Sequence, residues 1–146
     1  MNMIKLMTDV MKAREKDGSR MEWIYSDYTD DRCCVLNEHA IYIVDSYRFY
    51  LDVEKTFEKT VDAKKFIDPS NPGLVNAIDT GITRKHEALT CKCLKSENFE
   101  VWIDEKYLKY LNKDDLRFMA SSPKELVYVY EDDVFVAVIL PVVFKS

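Results

Sequence analysis

A chain of 146 residues with 47% hydrophobic and 32% charged side chains has the balance of a folded domain in water and the length to bury a core without staples. Three glycines and four prolines exclude long low-complexity or linker segments. A net charge of −5 excludes generic nucleic-acid binding unless basic residues gather on one face.

The chain opens on a predicted helix over residues 3–16, where Met3, Leu6, Met7, Val10 and Ala13 recur at helical spacing. Asn2 is placed to cap its start and Gly18 to stop it. Lys5, Lys12 and Lys16 fall within about 40° of one another on the face opposite the apolar stripe, with Asp9 among them. The charges in this segment leave no apolar core of secretory length, and the longest apolar run, 134–143, is broken by Pro141. No run approaches the roughly 20 apolar residues of a membrane span. A cytoplasmic protein with reduced cysteines and no membrane contact is expected.

Strands are predicted over 21–28, 32–36 and 40–45, separated by the turns at 29–31 and 37–39. Phe49, Leu51 and Val53 alternate, which predicts an edge strand within 47–57. A short helix over 61–67 is expected to end at Asp68-Pro69, and 69–79 reads as a surface loop. Strands over 82–95 and 98–103 follow, then a helix from Asp104 to about residue 111 with acidic residues at its positive end. Strands over 116–120, 127–130 and 134–140 complete an α+β chain of two main helices and about eight strands, with no internal repeat and no linker.

The second predicted helix places Lys106, Lys109 and Lys113 at i, i+3 and i+7, opposite Leu108 and Leu111. Both helices therefore carry an apolar stripe and a lysine stripe, which suits either solvated faces or a surface touching phosphates without reading sequence. The acidic pairs Asp30-Asp31, Asp114-Asp115 and Asp132-Asp133 fall in turns. There is no Gly-x-Ser-x-Gly, and Gly18, Gly73 and Gly81 form no phosphate-cradling loop. His39 at a turn and His86 among Arg84, Lys85 and Glu87 read as surface hydrogen-bonders, and Tyr128 and Tyr130 as sheet packing. Cys33-Cys34 and Cys91-x-Cys93 lack zinc-site spacing and read as small buried hydrophobes. A non-enzyme with no cofactor and no metal is expected.

Residues 3–44 and 99–144 resemble a domain of the bacterial sliding clamp, the DNA polymerase III β subunit. The turn Leu36-Asn37-Glu38-His39-Ala40-Ile41 is similar to the clamp's Thr-Asp-Gly-His-Arg-Leu turn, keeping the His but not the Asp, Gly or Arg. Tyr107-Leu108 resembles a Tyr-Leu pair on a clamp helix, and Leu140-Pro141-Val142-Val143-Phe144 resembles the clamp's Met-Pro-Met-Arg-Leu tail, without its Arg. The resemblance implies one clamp-like domain over 1–146, elaborated at 47–98, with two helices packed side by side on two antiparallel sheets. It implies that Lys5, Lys12, Lys16, Lys106, Lys109 and Lys113 face duplex DNA. It also implies a groove for clamp-binding peptides bordered by His39, Leu140, Pro141 and Val142. In a clamp the two borders come from neighbouring domains, so in a head-to-tail homo-oligomer His39 of one copy would approach Pro141 of the next. Single-domain clamp-like proteins of phage or mobile-element type are the nearest analogue. The function expected is a non-enzymatic, DNA-associated or protein-docking module that oligomerises around duplex DNA. The alternative is a stand-alone interaction or structural domain of clamp fold that leaves DNA alone.

Overall fold

The computed structural model describes residues 1–16, 23–57 and 59–144, without the side chain of Lys16. The expected stop at Gly18 and the first residues of the strand expected over 21–28 lie outside that set. The chain divides into two units, Met1–Asp68 and Pro69–Ser146. Among the described residues no helix is long and apolar enough to cross a membrane.

The first unit begins with α1, Met3–Lys16, as the periodicity predicts. Asn2 caps it: its Oδ1 accepts the N–H of Lys5 at 3.0 Å, and its carbonyl accepts that of Leu6. Met3, Leu6 and Val10, at i, i+3 and i+7, are buried. An antiparallel meander follows, β1 (Ile24–Asp27), β2 (Arg32–Leu36) and β3 (Ala40–Asp45). Cys33 and Cys34 point to opposite faces of β2 and both are buried, so this strand is covered on both sides. Between β2 and β3 the Oδ1 of Asn37 accepts the N–H groups of His39 and Ala40, at 2.9 and 2.8 Å. This is the local turn chemistry that favours Asn there.

Residues 47–57 correct the expected edge strand. A 3-10 turn at Ser46–Arg48 leads to a one-turn helix, α2, Val53–Thr56. Asp52 starts α2 by accepting the N–H of Lys55. Phe49 and Phe57 instead stack with Tyr25 of β1, all three ring centroids lying 5.7–6.1 Å apart. The alternation read as a strand is thus an aromatic cluster approached from two turns. The chain then bridges Tyr25 at Thr60 and makes a 3-10 turn at Ala63–Lys65, inside the helix expected over 61–67. The buried Ser26 Oγ accepts the Ala63 N–H at 2.9 Å and holds that turn against β1.

The second unit contains β4 (Val75–His86), β5 (Leu89–Lys95), β6 (Glu100–Asp104), β7 (Leu116–Ala120), β8 (Val127–Glu131) and β9 (Val134–Ile139). All pairs are antiparallel, in the order β9-β8-β7-β4-β5-β6. The expected loop over 69–79 ends sooner, because Val75–Ala77 pair with β7. The single strand expected over 82–95 is a hairpin closed by His86↔Leu89, with Glu87 at φ 57°. The β8–β9 turn places both Asp132 (φ 49°) and Asp133 (φ 61°) in the left-handed region, the arrangement of a type I′ hairpin.

Between Asp79 and Thr83 the register of β4 slips, and Gly81 there has φ 74°. The bulge is built by side chains. Asp79 Oδ1 accepts the Gly81 N–H, and Thr80 Oγ1 accepts the Ile82 N–H. Thr80 Oγ1 in turn donates to the Cys93 carbonyl, and Lys92 Nζ binds Asp79 Oδ2 at 2.7 Å. Beyond β9 the chain returns to β6: the Val142 N–H donates to the Trp102 carbonyl at 2.8 Å. That bridge ties the two ends of the strand order together.

The helix expected over Asp104–Leu111 is not formed. Glu105–Leu108 is a 3-10 turn capped by Asp104, whose Oδ1 accepts the Lys106 N–H. The N–H groups of Lys109 and Leu111 donate to the carbonyls three residues back, and Asn112 caps a second 3-10 turn, Lys113–Asp115. Two caps eight residues apart close the segment into short turns before an i→i−4 ladder can propagate. The burial expected for Leu108 and Leu111 is kept, with Tyr110 beside them.

Candidate functional site

Of the lysines expected to face a phosphate backbone, five occupy two settings, and the side chain of Lys16 lies outside the described residues. Lys5 and Lys12 stand exposed on α1. Lys106, Lys109 and Lys113 are exposed as well, but on consecutive turns rather than one helical stripe. Each has company. Lys106 Nζ lies 3.6 Å from Asp104 Oδ2 and 5.1 Å from the Tyr107 ring centroid. Partial burial acts to lower its pKa, but Tyr107 and Asp104 outweigh that and raise it above the usual lysine range. Lys109 Nζ sits 5.1 Å from the Tyr110 ring centroid, and Lys113 precedes Asp114 and Asp115. The basic surface free of acidic neighbours that DNA binding calls for is interrupted here by Asp104, Asp114 and Asp115.

The groove residues also divide. His39 is half exposed, its backbone held by Asn37 and its Nε2 3.8 Å from Glu38 Oε2. On the tail, Leu140 and Val143 are exposed, whereas Pro141 is buried and Val142 is half-buried and bonded to Trp102. Pro141 has no N–H to give, so the ladder of β9 ends there and resumes one residue later against a different strand. Sequence reasoning missed Phe144. Arg84 lies over its ring at 4.2 Å, while His86 and Trp102 meet it edge-on at 5.0 and 5.5 Å. A terminal aromatic aligned with the last apolar residue of the resembling tail was the available signal.

The remaining chemistry is tied up in structure. The four cysteines are free thiols, all buried, and burial raises each pKa, that of Cys34 to about 12. Among the described residues no cluster of three or more His, Cys, Asp or Glu side chains could hold a metal. An open cleft of about 610 Å³ in the first unit is lined by Tyr25, Asp27, Glu54, Thr60, Asp62 and Lys64, among others. Burial and the Asp27 carboxylate push the Tyr25 phenol above its usual range, so it stays neutral and donates to Asp27 Oδ1 at 2.9 Å. Asp62 caps the turn at Ala63–Lys65 by accepting the Lys64 N–H. Two of the three carboxylates lining this cleft are therefore engaged in local structure. No family model matches the chain, nor does any curated protein or solved structure.

Proposed function

We propose that this chain is a clamp-like, non-enzymatic docking module that takes extended apolar peptides of partner proteins along its C-terminal tail. The observation that supports this best is a recurrence. In the first unit α1 is followed by the meander β1-β2-β3, and in the second the helical turn Glu105–Leu108 is followed by the meander β7-β8-β9. The sequence resemblance to a clamp domain rests on element order and a few short motifs; the order of helix before meander is kept in the first unit, whereas in the second a 3-10 turn stands where the resemblance expects a helix. On the tail, Leu140 and Val143 are the side chains left for a partner, flanking the two residues that fasten the tail in place. Short hydrophobic clamp-type peptides, titrated by fluorescence anisotropy, should bind the intact chain, and Leu140→Glu should abolish that binding. A protein whose peptide binding is indifferent to Leu140→Glu, or which binds none, is not a docking module of this kind.

A second reading, association with duplex DNA, is favoured by the exposure of Lys5, Lys12, Lys109 and Lys113. It requires retention on DNA at low salt with an affinity that falls steeply as salt rises, by about 0.9 log unit per log of salt for each phosphate neutralised. Replacing Lys5, Lys12 and Lys109 together with Ala should shallow that slope. One chain of this size surrounds a duplex only as part of a larger oligomer, so a monomeric mass at high concentration removes encirclement.

A further inference from the structure

β4 is bonded to β5 as far as the hairpin turn at His86, but to β7 only at its start, over Val75–Ala77. Among the described residues no strand continues the β7 side of the ladder, and Gly81–Lys85 are all exposed. The hairpin fixes which backbone groups this outer edge presents. Only Glu87 and Ala88 separate the paired His86 and Leu89, so those two exchange their N–H and C=O bonds with each other. Alternation then turns the backbone groups of Arg84 and His86 toward β5, and those of Thr83 and Lys85 outward. Two observed bonds have the same parity. The Cys93 carbonyl faces β4, where Thr80 Oγ1 donates to it, and the Trp102 carbonyl faces away from β5, where the Val142 N–H donates to it. The donors just before Thr83 are already taken, that of Gly81 by Asp79 Oδ1 and that of Ile82 by Thr80 Oγ1. Thr83 and Lys85 are left with their N–H and C=O groups facing water, the template that an added strand pairs with.

The side chains select the occupant. Arg84 and Lys85 project to opposite faces of the sheet, and among the described residues neither has an ion-pair partner. The nearby carboxylates are engaged or lie outside the span. Asp79 is bound by Lys92 at 2.7 Å, Asp104 is beyond Cys91 on the side away from this edge and near Lys106, and Glu87 is in the turn. An antiparallel second copy has one register that bonds both Thr83 and Lys85, and it sets Arg84 directly opposite Arg84, a destabilising like-charge pair. A nucleic acid would meet the two cations, but its phosphates only accept and leave the two outward carbonyls without donors. We propose that the outer edge of β4 adds an extended strand of a partner protein, antiparallel across Thr83–Lys85, with acidic side chains opposite Arg84 and Lys85. Such a strand carries two consecutive carboxylates, one for each face of the sheet. This surface uses none of the tail residues of the docking reading, so the two are tested apart.

The probe is a labelled synthetic peptide, Thr-Val-Glu-Glu-Val-Thr with blocked ends, titrated against the full chain at low salt by fluorescence anisotropy. It should bind, and the same peptide with lysines for glutamates should bind at least about tenfold more weakly. Arg84→Glu and Lys85→Glu together should weaken the acidic peptide about tenfold or more, with the melting midpoint confirming that the variant folds. Methylating single amide nitrogens of the peptide tests the backbone pairing. In the antiparallel register the first glutamate faces Lys85 and bonds the edge, so methylating its nitrogen should abolish binding. The second faces Arg84 with its N–H pointing away, so methylating that nitrogen should change affinity by no more than about threefold. Leu140→Glu should leave acidic-strand binding intact, which separates this edge from the tail. The proposal is overturned by no binding of the acidic peptide, by equal binding of the basic one, or by binding indifferent to the double charge reversal. Equal loss from methylation at both glutamates also overturns it, because charge alone would then hold the peptide. A wild-type dimer dissolved by Lys85→Pro, which removes an outward donor only, would assign the edge to a second copy and overturn the assignment.

Discussion

Leu6 and Ile4 stand two residues apart on α1, yet the fold gives them opposite roles, and truncating each to Ala measures the difference. Leu6 is fully buried and Ile4 is 77% exposed. Leu6→Ala removes three carbons from a closed site, worth about 2.4 kcal/mol at roughly 0.8 kcal/mol per buried methylene. The void left behind adds to that at about 24 cal/mol per Å³, giving a loss of about 3–5 kcal/mol. Against a typical stability of about 5–15 kcal/mol this is a large fraction of the total. Ile4→Ala removes side-chain surface that is already in water, so it should change stability by no more than about 0.5 kcal/mol. Urea unfolding followed by tryptophan fluorescence, which includes the buried Trp23 of the same unit, reports both values, with the m-value unchanged. A Leu6→Ala variant within about 1 kcal/mol of wild type would refute the packing of α1. An Ile4→Ala variant losing more than Leu6→Ala would show that Ile4 is covered.

Gly81→Ala should destabilise by about 1 kcal/mol through backbone strain alone, since φ is 74° and an added Cβ meets nothing within 4 Å; a urea titration in which the variant matches wild type would contradict this. Burial acts to raise the Asp79 pKa, but the Lys92 ammonium and the Gly81 N–H overcome it and hold the carboxyl below its usual range. The native pKa being the lower one, its contribution is present above the unfolded value of about 3.9 and is lost as pH falls through the native value. The urea midpoint of wild type should therefore drop more steeply than that of Asp79→Asn between about pH 5 and 3. With four buried thiols whose pKa values burial has raised, the native chain should label slowly with a thiol reagent near neutral pH, whereas all four cysteines should react at once in strong denaturant. Fast labelling of any native cysteine would show local opening at β2 or β5.

The elements legible in the sequence are those whose signal is local. The apolar period of α1 and the Asn2 cap sit within four residues of the bonds they make. Asn37 closes its own turn, and the β-branched runs of β3, β8 and β9 need only neighbours of the same kind. Where the outcome depends on distant residues, the pattern misleads. Val75–Ala77 reads as loop, and becomes strand because β7 lies alongside it more than forty residues later in the chain. Residues 82–95 read as one strand because Glu87-Ala88 carries no turn signature, and only the pairing of β4 with β5 holds Glu87 in the left-handed region. Residues 104–111 have helical composition, yet caps at Asp104 and Asn112 and the burial of Leu108, Tyr110 and Leu111 divide them into turns, so the lysines sit on no helical stripe. The same limit governs the surfaces. Helical spacing sets Leu6, Met7 and Val10 in one stripe apart from Ile4 and Met11, and only tertiary packing buries Leu6 and Val10 while leaving Met7 half-buried.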